Sequence, residues 1–142
     1  MGNGTTPSTP EEFLHNILAL CYYWMSPQLE AFFSADCFGA IILSPAQNAD
    51  DVPEEDLAQG MISWASGDNP WVHMVDPRAL SQLLDRIRQM APKMILSAHL
   101  PPAQGKTEQL LESLARVPTS TPFVAPSQTA LVQILAQMKG GS

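Results

Sequence analysis

The sequence predicts an α/β fold, a small sheet flanked by amphipathic helices, and three observations carry that expectation. Ala31-Phe32-Phe33-Ser34 and Met94-Ile95-Leu96-Ser97 are short apolar runs of the length and content of buried strands. From Asp76 to Met90, Leu80, Leu83, Leu84, Ile87 and Met90 recur at three- and four-residue steps, which draws one apolar stripe along a helix. Each strand run then releases one residue of metal-ligand type, Asp36 in Ser34-Ala35-Asp36-Cys37-Phe38-Gly39 and His99 in Ser97-Ala98-His99-Leu100-Pro101-Pro102. A carboxylate and an imidazole at strand ends suit borderline divalent metals such as zinc or iron, because both oxygen and neutral nitrogen donors bind them. Two ligands are too few for a complete site, so the chain reads as part of a metal-binding fold.

The elements follow in order. Residues 1–10 are almost entirely small, polar or Pro and form a flexible leader with little to bury. A single domain is expected over 11–138, followed by a short tail at 139–142. Thr9-Pro10-Glu11-Glu12 opens a helix with a hydroxyl cap, Pro at the first helical position and acids in the first turn. Aromatic content from Leu20 to Met25, a turn at Ser26-Pro27-Gln28 and the apolar run after it suggest a hairpin over 20–25 and 30–35; continuing the first helix through Trp24 is the competing reading.

The acidic stretch Asp50-Asp51-Val52-Pro53-Glu54-Glu55-Asp56 precedes an apolar-periodic segment from Leu57 to Trp64 and sits at the positive end of a helix. It lacks the Gly pivot and alternating ligands of an EF-hand, so it reads as a solvated helix start, not a calcium loop. Asp76-Pro77 caps the next helix, and Pro92 ends it. An interior strand over 94–97 then presents His99 to a loop stiffened by Pro101-Pro102. A further helix over 106–117 carries Leu110, Leu111 and Leu114 and stops at Pro118. After a Pro- and Thr-rich connector, Ser127-Gln128 opens a last helix with Leu131, Ile134, Leu135 and Met138 on one side.

Composition narrows the function classes. A net charge of −7 with seven Lys and Arg in all argues against a phosphate-backbone binder, so neither nucleic acid nor an anionic membrane is an expected partner. The longest apolar run, Ile17 to Met25, is about half a membrane span. A cytoplasmic protein is the expectation. Cys21 and Cys37 fall in no CxxC or repeated framework and read as structural thiols of a reducing compartment.

The order of these motifs, from the strand and Ser34-Ala35-Asp36-Cys37-Phe38-Gly39 through the acidic loop, Asn69-Pro70-Trp71 and the Asp76-Pro77 helix to Ile95-Leu96-Ser97-Ala98-His99-Leu100-Pro101-Pro102, resembles the C-terminal half of the metallo-β-lactamase fold superfamily. Its flavour is similar to the flavodiiron and oxygen-binding diiron branch and to related hydrolase-like members, over about residues 20 to 138. The resemblance implies half of an αββα sandwich with a mixed sheet. It places Asp36 on the family's metal-bridging aspartate and His99 on its last histidine ligand, and His15 lies near where many relatives carry another histidine. It implies zinc or iron, a small-molecule substrate, and a metal-dependent hydrolase or diiron-type chemistry. The His-x-His-x-Asp-His cluster of the N-terminal half is absent from the sequence, so the chain is expected to be inactive alone, or to be completed by a second copy or another chain.

A different class of function stands beside this one: a non-catalytic binding or assembly module that keeps the scaffold only. Half a sandwich exposes an apolar sheet face or edge, and Tyr22, Tyr23, Trp24 and Phe32 are candidates for that surface. His73, in the Asn69-Pro70-Trp71-Val72-His73 loop, reads as a surface or packing residue and not a ligand, and thiol catalysis by Cys37 with His99 lacks any known signature.

Overall fold

The turn Pro27–Glu30, closed by a left-handed φ of 49° at Glu30, joins β1 (Tyr23–Ser26) to β2 (Ala31–Ser34) as an antiparallel hairpin with Trp24 opposite Phe33 and Met25 opposite Phe32. The structure is a computed structural model and describes residues 23–140. The hairpin answers the expectation from its aromatic content; the leader, the first helix and His15 lie outside the described residues. After β2 the chain leaves the sheet and makes α1 (Glu54–Asp68), with Glu54, Glu55 and Asp56 in its first turn, and α2 (Pro77–Met90). In α2 the carboxylate of Asp76 accepts from the Arg78 amide at 2.8 Å, and Ala91, at φ 45°, ends the helix one residue before Pro92.

This crossover makes the next strand parallel. β3 (Met94–Ser97) pairs with β2 so that Phe32 faces Ile95 and Phe33 faces Leu96. β4 (Leu100–Gln104) returns antiparallel beside it, giving a mixed four-stranded sheet in the order β1-β2-β3-β4. Here the expectation of a Pro-stiffened loop is corrected: Pro101 and Pro102 lie in a strand. A sheet edge has one side free of ladder bonds, and the pairing shifts register between Ile95 and Ser97, so prolines are tolerated there. α3 (Thr107–Arg116) follows and ends just before Pro118, as expected, and Pro118 sits in a short 3-10 helix (Val117–Thr119). α4 (Gln128–Gly140) is the last element.

Alternation along the strands decides the core. Met25, Phe32, Ile95 and Ala103 share the inner face, where Phe32, Ile95 and Ala103 pack with Leu57 and Met61 of α1, Leu80, Leu84 and Ile87 of α2, and Leu110 and Leu111 of α3. Phe32 is fully buried and meets Phe38 edge-on at 5.8 Å, so its candidacy for an exposed seam is corrected. The opposite face presents Trp24, Phe33 and Leu96 in one row, and none of these belongs to either core cluster. α4 is the helix expected after Ser127-Gln128, and its Leu131, Val132 and Leu135 are exposed. Cys37 is disulfide-bonded, which corrects the expectation of a thiol; the chain's other cysteine, Cys21, lies outside the described residues.

Candidate functional site

The two residues singled out at strand ends meet. β2 and β3 run parallel, so their C-terminal ends lie side by side, and each chain passes two residues further before turning away. The Ala98 amide donates to the Ala35 carbonyl at 3.1 Å, and the Ser97 hydroxyl donates to the same carbonyl at 2.8 Å. These bonds extend the parallel register past the ladder and bring His99 Nε2 to 2.9 Å from Asp36 Oδ1. Both side chains are about half exposed, at 45% and 52%, so water screens their charge interaction.

A third residue completes the corner. Trp64, on α1, stacks its indole on the His99 ring with centroids 4.3 Å apart and planes 30° from parallel. Its Nε1–H donates to the Asp36 carbonyl at 2.9 Å. The indole fits because residue 39 is glycine: a Cβ there would stand 2.2 Å from Trp64 Nε1. Gly39 in turn donates its amide to the Asp36 carbonyl at 3.2 Å, and the Ala40 amide donates to the His99 carbonyl at 2.9 Å. Nothing in the spacing of Trp64 pointed to this role, since it reads as one apolar position among several in α1. The short glycine turn after Asp36 was the available signal that something bulky approaches.

His73 behaves as a packing residue. Its Nε2 lies 2.7 Å from the hydroxyl of buried Ser66, which accepts from the Phe123 amide at 2.7 Å and so ties the connector after α3 to α1. The acidic start of α1 is a solvated helix end as expected, and Asp51 turns inward to its own loop, accepting from the amides of Gln47 and Asn48 at 3.0 and 2.9 Å. Beside the Asp36 corner, an apolar cavity of about 120 Å³ is lined by Phe32, Phe38, Leu84, Ile87 and Val117, with Asp36 among its walls.

The donor set falls short of a metal centre on its own. Zinc sites use three or four protein ligands, and diiron sites more; among the described residues no group of three or more His, Cys, Asp or Glu side chains converges. Asp36 and His99 supply two donors, and these already lie against one another at 2.9 Å. The corner therefore supports hydrogen bonding and ring stacking, and no reaction step follows from it.

A mixed sheet with helices packed on one face and with the strand-end Asp and His at the edge of its parallel pair is half of a metallo-β-lactamase-like sandwich. Among solved structures, the chain is similar to rubredoxin oxygen:oxidoreductase from the anaerobe Desulfovibrio gigas, with a TM-score of 0.51 and 17% identity over 68% of this chain and 23% of that one. It is also similar to a chemotaxis sensor, ODP, described in a peroxy diiron state, with a TM-score of 0.46 and 14% identity over 80% of this chain and 43% of that one. Both neighbours have the metallo-β-lactamase fold, and the chain spans less than half the length of either. At 17% identity the likeness to the oxidoreductase is one of fold alone. No family model and no curated protein matches the sequence.

Proposed function

We propose that this chain is a metallo-β-lactamase-type half domain that acts by association and has no catalysis of its own. The observation that carries the reading is the row Trp24, Phe33 and Leu96 on the sheet face turned away from the helices. Trp24 is 61% exposed and lies against Phe33 with ring centroids 5.2 Å apart and planes tilted by 30°, outside the core. In a complete sandwich a second sheet covers that face about 10 Å away. Its size sets the strength of any pairing. Four strands at about 4.8 Å by four residues at about 3.3 Å give on the order of 250 Å², against about 800 Å² per partner in a standard interface. Pairing through this face alone is therefore weak and concentration-dependent, and a tighter complex recruits the outer edge of β1 as well.

Sedimentation over a hundredfold concentration range tests this. Self-association that weakens in Trp24→Ser, with the circular dichroism unchanged, is the expected result; a strict monomer that binds no apolar dye at any concentration overturns it.

A second reading, a metal-dependent hydrolase or diiron-type half-site using zinc or iron and completed by ligands from elsewhere, draws on the Asp36–His99 contact and the two neighbours. Elemental analysis after growth with added metal tests it: about one metal per chain, lost in an Asp36→Ala, His99→Ala double variant, would support it. His15, the third residue offered by the family resemblance, is tested by adding His15→Ala to that comparison.

A further inference from the structure

The corner that the fold family uses for metal has bonds of its own in this chain, and we infer that Asp36, His99 and Trp64 form a metal-independent clamp that fastens the ends of the parallel strands to α1. Three kinds of contact converge there. Asp36 and His99 bridge the ends of β2 and β3 at 2.9 Å. Trp64 reaches across from α1 to both residues, by the stack on His99 and by its N–H to the Asp36 carbonyl. The backbone closes the frame, with Gly39 N–H donating to Asp36 and Ala40 N–H donating to His99. A metal held by both side chains at about 2.1 Å in tetrahedral geometry would set the two donor atoms about 3.4 Å apart. At the observed 2.9 Å the two atoms are in direct contact, closer than a shared tetrahedral metal would hold them, and spreading them would pull His99 against the indole that supports it.

The clamp also explains Gly39. The chain makes a turn that admits an indole where a methyl group would collide. The strand ends receive from α1 the cross-link that a bridging ion supplies between donors on separate elements.

Two variants separate a clamp from a latent metal site. Asp36→Asn keeps an oxygen acceptor for His99 but removes the charge that a bridging carboxylate brings to a cation; Trp64→Phe keeps a ring beside His99 but removes the N–H. Chemical unfolding of the whole chain is measured for wild type, both variants and His99→Ala, each without metal and with excess Zn(II), Mn(II) or, anaerobically, Fe(II). The clamp predicts that metals leave the wild-type midpoint unchanged. It also predicts that Asp36→Asn stays close to wild type, and that Trp64→Phe and His99→Ala each lower the folding equilibrium constant about five- to thirtyfold, as a loss of one to two kcal/mol implies. A metal-dependent rise in the wild-type midpoint that Asp36→Asn abolishes overturns it, as does a Trp64→Phe variant as stable as wild type. Because sedimentation reports on the sheet face and unfolding on this corner, failure of the clamp leaves the association reading standing, and the reverse holds.

Discussion

Gly39 and Ser34 are the residues whose physics is sharpest. A methyl group at position 39 collides with the Trp64 indole, so Gly39→Ala must displace the ring or the turn; a destabilisation of about 1–3 kcal/mol is expected. Denaturant unfolding measures it, and near-ultraviolet circular dichroism shows whether the indole has moved. Ser34 shows the opposite sign. Its hydroxyl is buried on the inner face and makes no hydrogen bond, so Ser34→Ala removes a desolvated group without leaving a partner stranded. That variant is expected to match or exceed wild-type stability by up to about 1 kcal/mol in the same assay. Cys37 gives a chemical check: being disulfide-bonded, it should resist alkylation in the denatured, unreduced chain and accept it after reduction, read by peptide mass. None of these three properties is visible at its own position in the sequence, because each depends on what another segment places beside it.

At the scale of elements, α2 and α3 are joined at the surface by Arg88, whose guanidinium holds both carboxylate oxygens of Glu108 through Nε at 3.1 and 2.8 Å and also bonds Asp85. The hydrogen bond from Arg88 holds the Glu108 carboxyl below its ordinary range, and the same bond holds Arg88 above its own. A carboxyl with a lower pKa folded than unfolded contributes stability that is fully present above the unfolded value and is lost as pH falls through the folded one. Stability should thus decline on acidification through and below the ordinary glutamate range. Glu108→Gln should flatten that limb, and added salt should reduce the difference because both groups are exposed; thermal melts across pH test all three. Core helices carry more. Leu84→Ala and Leu111→Ala, on the inner faces of α2 and α3, should each cost about 2–5 kcal/mol. The apolar stripes of α2 and α3 were legible from spacing alone. α4 shows the limit of that reasoning: its leucines repeat with helical spacing, yet Leu131 and Leu135 stay exposed, because periodicity reports that a helix has an apolar side and not that anything packs on it.

For the whole molecule, the proposed association rests on the exposed Trp24 of the sheet face, and Trp24→Ser is its direct test. No helix among the described residues is long and apolar enough to cross a membrane. The sequence alone determined the stripes of α2 and α3, the hairpin and the strand ends at Asp36 and His99, since propensity, capping and short-range periodicity are local in origin. Tertiary structure decided the rest. It set the parallel pairing of β2 with β3 that brings Asp36 and His99 together across about sixty residues, made Pro101-Pro102 an edge strand, and buried Phe32 while leaving Trp24 outside. It also brought Trp64 from α1 onto His99. Those outcomes depend on register and on which face meets the helices, and a one-residue change of register would exchange the two faces, so no local pattern could fix them.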